Sequence, residues 1–153
     1  MKGLKMSSIK NLLKSNIVAI TGMILAFVGF IDASYLTILH YQQALPPCSL
    51  IHGCEKVLTS SFSTIYGISI AIPGMLFYIT MLLLLFIYLQ TNSRKVSLMI
   101  LLLSISGLGI SSFLLYVQAT ILYAFCQYCL ISAMVNFLLF PTSFLLFRSH
   151  KKY

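Results

Sequence analysis

Four apolar runs, at about Ile17–Tyr41, Ile65–Leu89, Val96–Val117 and Leu122–Phe147, decide what this chain can fold into. A helix needs ~20 apolar residues to cross the hydrocarbon core of a bilayer, and each run meets that length. Inside lipid the backbone must satisfy its own hydrogen bonds, which leaves helices or a closed barrel. Unbroken runs of this length favour helices, so the expected fold is an all-α membrane protein, a bundle of four transmembrane helices. Composition agrees: 59% of the 153 residues are hydrophobic and 8% are charged, far from the balance of a soluble domain.

The first run follows a polar segment, residues 1–15, that carries Lys2, Lys5, Lys10 and Lys14. A basic start, an apolar stretch and Ala33-Ser34 imitate a cleaved signal peptide. The run continues through Tyr35-Leu36-Thr37-Ile38-Leu39, however, so an uncleaved first span is expected. Asp32 lies near its far end, and an acid there should face the bundle or the interface rather than lipid. A structural hydrogen bond and a catalytic role are both open for it.

Residues 42–64 form the one substantial polar loop. Pro46-Pro47 hold the chain extended ahead of Cys48, and Glu55-Lys56-Val57-Leu58-Thr59-Ser60 suits a short interfacial helix. Pro73 falls inside the second run, where a kink is tolerated if neighbours satisfy the freed carbonyl. Gln90–Lys95 is expected as a tight turn. In the third run, Ser104-Ile105-Ser106-Gly107-Leu108-Gly109-Ile110-Ser111-Ser112 is rich in small residues that let helices approach closely. Gln118-Ala119-Thr120 is expected as the next turn, and 148–153 as a basic tail.

Of the ten Lys and Arg residues, nine sit in the N-terminal tail, the Arg94-Lys95 turn and the C-terminal tail; Lys56 stands apart. A net charge of +8 in a soluble chain would suggest nucleic acid. Here the basic residues flank apolar runs, so they mark topology, and no nucleic-acid partner is expected. The positive-inside rule puts both termini in the cytoplasm. The 42–64 loop and the start of the fourth run then face the other side, where disulfides persist.

All four cysteines lie on that side: Cys48 and Cys54 in the loop, Cys126 and Cys129 at the mouth of the fourth run. Two thiols three residues apart on a helix share one face, and one near a helix start tends to have a lowered pKa. A bridge closing so short a loop adds little stability, which favours redox chemistry over a structural role. Structural disulfides, buried apolar cysteines and a thiol-bound zinc site with His52 are the alternatives. They would make the protein a non-enzymatic membrane subunit. With only Asp32 and Glu55 as acids, carboxylate-based metal or glycosidase chemistry is excluded. Phe113, Tyr116, Tyr123, Phe125 and Tyr128 are candidates to wall an apolar ring pocket or to anchor at the interface.

Cys48…Cys54-Glu55-Lys56-Val57-Leu58-Thr59-Ser60, then Gly67-Ile68, Gly74, Phe77-Tyr78 and Cys126-Gln127-Tyr128-Cys129 resemble a bacterial member of the vitamin K epoxide reductase family. The likeness is to the form without a fused thioredoxin-like domain, and it covers about residues 16–147. It implies a four-helix bundle around a quinone (ubiquinone or menaquinone) in the bacterial inner membrane. It also implies oxidation of a thioredoxin-fold partner supplied in trans. By that resemblance Cys48 exchanges with the partner, Cys54 relays to Cys126, and Cys129 stands beside the quinone ring; Phe113, Tyr116 and Tyr128, from the aromatic residues above, are the expected contacts to it. Ser60 would position the loop helix or hydrogen-bond near the quinone. Mammalian members carry an asparagine and a tyrosine where this chain has Ile70 and Ala133. Bacterial relatives often show Gly-Ile-Pro where Gly67-Ile68-Ser69 stands. The expected chemistry is therefore quinone reduction rather than epoxide reduction.

Overall fold

A computed structural model describes residues 2–42, 44, 54–60, 63–65 and 68–150. Helix α1 spans Lys2–Tyr41, α2 Cys54–Leu58, α3 Ala71–Thr91, α4 Arg94–Val117 and α5 Gln127–His150. Four of these hold segments long and apolar enough to cross a membrane, at Ser15–Tyr41, Ala71–Thr91, Arg94–Leu122 and Gln127–Ser149. The chain is a four-helix membrane bundle. α1 packs on α3 and α5, and α4 on α5 and α3.

The seam between α1 and α3 is set by residue size. Ser15, Ala19, Gly22, Ala26, Gly29 and Ala33 recur at alternating steps of four and three, which lines them along one helix face. Against that small-residue stripe α3 sets Tyr78, Met81, Leu85 and Tyr88, all fully buried. In lipid such seams are held by close packing rather than by exclusion of water. A Cβ at Gly29 would fall inside the Tyr78 ring, so only glycine lets that ring lie on α1. Ser15 Oγ and Tyr88 Oη, 2.6 Å apart, give the seam a polar end. On α4 the buried face is Ser97, Ile100, Ser104, Gly107 and Ser111, so the small-residue run expected to face a neighbour does so. There a Cβ on Gly107 would stand 2.5 Å from Phe77 Cζ.

Three boundaries depart from the sequence expectation. The second span starts at Ala71 rather than at about Ile65. Ahead of it, Thr64–Ile65 (β1) pairs antiparallel with Ile68–Ser69 (β2). Pro73 consequently lies in the first turn of α3, where a backbone N–H would have had no intrahelical partner, so it needs no kink. The proline inside a helix is Pro141 of α5; nearby, Thr142 and Ser143 both donate to the Leu139 carbonyl at 2.7 Å. Finally, Gln118-Ala119-Thr120 is no turn. It belongs to a π-helical segment, Gln118–Leu122, that prolongs α4, and the chain reverses at Tyr123, with φ 48°. The last helix therefore begins at Gln127, not at about Leu122. The expected loop helix is present as α2, and the Gln90–Lys95 turn closes through Asn92 in the left-handed region.

Candidate functional site

The π-helical extension of α4 places Gln118 beneath the start of α5. Its carbonyl accepts from the N–H groups of Tyr123 and Ala124, which fixes the reversal. Its buried side-chain Oε1 accepts from the Cys126 N–H at 3.1 Å. The Cys126 carbonyl in turn accepts the first α5 bond, from Leu130 N–H at 3.0 Å. Cys126 thus occupies the N-cap of α5, the position where a side chain meets the orphan N–H groups of the first turn.

That position sets the acidity of its thiol. Hydrogen bonding from the Cys129 thiol is the largest influence. With help from the backbone N–H groups of Cys129 and Tyr128, and against desolvation, it pulls Cys126 down from 9.0 to about 7. A thiol near neutral pKa both attacks and leaves readily in disulfide exchange.

Cys54, the first residue of α2, is disulfide-bonded, whereas Cys126 and Cys129 are free thiols. Cys54, Val57, Ala124 and Cys126 form one buried cluster, with Cys129 and Tyr128 packed against it. The loop helix is thereby seated on the N-terminus of the last span, and one cysteine of each pair lies in a shared apolar pocket. Cys48 and its expected exchange role lie outside the described residues, as does His52.

Below Cys126, Cys129 opens onto a cavity of about 820 Å³ between the helices. Its walls are mainly apolar, with Leu36, Ile70, Phe77, Ile110 and Phe113 among them. One wall is polar. Asp32, Tyr78, Ser111, Ser132 and Asn136 line it. Tyr78 Oη lies 2.7 Å from Ser132 Oγ, and Asn136 Nδ2 donates to Ser111 Oγ at 2.7 Å. Asp32 Oδ2 and Asn136 Oδ1 are buried without a partner among the described residues. An apolar slot with a carboxyl group on one wall fits a flat carbonyl-bearing ring, whose faces are apolar and whose oxygens accept hydrogen bonds from a protonated acid.

Ser60 lines this cavity too, although its hydroxyl donates to the Val57 carbonyl at 2.7 Å and so closes the end of α2. Phe113 and Cys129 are on the cavity wall, while Tyr116 and Tyr128 are not among its lining residues. Tyr116 and Tyr123 are exposed, and Tyr128 rests against Tyr35 with ring centroids 5.5 Å apart. Ile70 lines the cavity; Ala133 is buried outside its lining. Gln118, Tyr78, Ser132 and Asn136 were not anticipated. Asn136 had a usable signal, since it lies seven residues beyond Cys129 in an apolar run and so returns to the same helix face.

Fold and site together define a class: a multi-pass membrane protein with a thiol pair at a helix start, facing a cavity within the bundle. A model of the vitamin K epoxide reductase family matches residues 20–144. The chain belongs to that family, whose members are membrane oxidoreductases that use quinones. Among curated proteins none matches the sequence.

Proposed function

We propose that this protein generates disulfides. It would oxidise the dithiol of a thioredoxin-fold partner and pass the two electrons through its cysteine pairs to a quinone, ubiquinone or menaquinone. The observation that carries this reading is the junction itself: Cys54 is packed in one buried cluster with Cys126, and Cys129 faces the cavity. A quinone seated there would supply a two-electron, two-proton acceptor.

Each exchange step swaps one S–S bond for another. A partner thiolate opens the loop disulfide at Cys48. The released Cys54 thiolate attacks Cys126 of the Cys126–Cys129 disulfide and frees Cys129. Cys48, once released from the partner, then attacks Cys54 and frees Cys126. The lowered pKa of Cys126 favours its departure. The loop pair ends oxidised and the helix pair reduced. Re-forming the Cys126–Cys129 bond releases two electrons and two protons. The arrangement of basic residues supports cytoplasmic termini, with the thiols on the outer face of the inner membrane.

The test is quinone reduction by the purified protein in lipid nanodiscs, driven by a reduced thioredoxin-fold protein. Wild-type protein should turn over, and Cys129→Ser should not. Unchanged turnover in the serine variant would remove Cys129 from the path.

A further inference from the structure

Asp32 is one of two acids in the chain, and the other, Glu55, lies in the loop helix. It sits within the first membrane span, is 9% exposed and faces the cavity that Cys129 also faces. Its Oδ2 is buried and has no hydrogen-bond partner among the described residues. Placing an acid within a membrane span is costly, and leaving one of its oxygens unpaired adds to that. A structural role would spend that oxygen on a fixed donor. Here the neighbouring polar groups are engaged elsewhere, Tyr78 with Ser132 and Asn136 with Ser111. The carboxyl group lines the cavity where the acceptor would bind.

We propose that Asp32 is the proton-handling group of this site. It holds a proton at Oδ2, donates it to a carbonyl oxygen of the bound quinone, and regains one from the Cys126–Cys129 pair. The inference rests on the reading under Proposed function. When the S–S bond between Cys126 and Cys129 forms, two thiol protons are lost and two electrons leave the pair. One thiol proton replaces the one that Asp32 gave up. The other leaves to water at the outer face, and a proton from that water completes the acceptor. Asp32 ends as it began, and charge and atoms balance. Other titratable groups at the cavity are Tyr78, Cys129 and, exposed on the last turn of α1, His40. Cys126 lies within electrostatic reach. Tyr78 is tied to Ser132, His40 is exposed at the end of α1, and the thiols are the electron source, which leaves Asp32 as the buried group to carry the proton.

Asp32→Asn keeps the shape of the side chain and removes the titratable proton, and Asp32→Glu restores it. In nanodiscs, single-turnover oxidation of the reduced Cys126–Cys129 pair by quinone should fall about 10²-fold or more in Asp32→Asn, the range of a lost general acid. Exchange with the dithiol partner should stay within about threefold, and Asp32→Glu should recover most of the loss. Infrared difference spectra of quinone binding give a readout independent of turnover. A carboxylic-acid carbonyl band, shifted by aspartate labelled with carbon-13, should respond in wild type and vanish in Asp32→Asn. If Asp32→Asn does not assemble, the labelled wild-type spectrum decides alone. Absence of a responding band, or Asn turnover within about threefold of wild type, overturns the proposal while quinone reduction stands. A wild-type protein that reduces no quinone overturns both.

Discussion

Cys129→Ala offers a sharp probe of how the site makes a thiolate. In the structure three donors meet the Cys126 sulfur, the Cys129 thiol foremost and then two backbone N–H groups, and together they lower its pKa from 9.0 to about 7 despite burial. Two units correspond to ~3 kcal/mol between the protonation states. At neutral pH, Cys126 is then about half thiolate, against about one part in a hundred for a thiol at its ordinary value. A hydrogen bond to a charged group is worth ~1.5–3 kcal/mol. Deleting the Cys129 S–H should therefore return the Cys126 midpoint upward by about one to two units. The assay is thiolate ultraviolet absorbance against pH, in protein whose Cys48 and Cys54 are replaced by serine. A Cys126→Ser variant in the same background isolates the signal. A midpoint still near 7 after Cys129→Ala would show that the helix N-terminus alone sets the acidity and that the Cys129 thiol is not its main cause. The linkage has a definite sign. The folded value lies below the unfolded one, so this contribution to the reduced protein is complete above about pH 9 and is lost as the pH falls through about 7.

Three further outcomes follow from packing. Gln118→Ala strands the buried Cys126 N–H, a loss of ~1–3 kcal/mol; thermal unfolding in nanodiscs should show it, and Gln118→Glu, which keeps an acceptor, should recover much of it. Gly29→Ala drives a Cβ into the Tyr78 ring and should cost ~1–3 kcal/mol by overpacking. Gly109→Ala, with nothing within 4 Å of the added carbon, should leave the melting temperature unchanged or raise it, because alanine is the better helix former.

Hydropathy showed the four spans, and the order of the cysteines showed the thiol site, because both signals are local: a run of apolar residues, and two sulfurs one turn apart. The misplaced boundaries share a physical cause. Ile65, Ile68 and Ile70 are as apolar as the span that follows, and hydropathy cannot tell a two-residue strand pairing from a helix turn; Pro73 marked the true start, since its missing N–H is best tolerated in a first turn. In the sequence Gln118 reads as part of a turn with Ala119 and Thr120. Its polarity instead serves a partner eight residues on, the Cys126 N–H, and no periodic pattern reports such a contact. The cavity wall was hidden in another way. Tyr78 lies where it does because Gly29, on a different helix, has no side chain, and that complementarity is visible only once α1 and α3 are known to be neighbours. Asp32 could be expected to turn inward on cost alone, but not to keep an unpaired oxygen. Packing decides that point, since it gives Ser132 to Tyr78 and Ser111 to Asn136 and leaves Oδ2 buried without a partner among the described residues, on a side chain that lines the same cavity as Cys129.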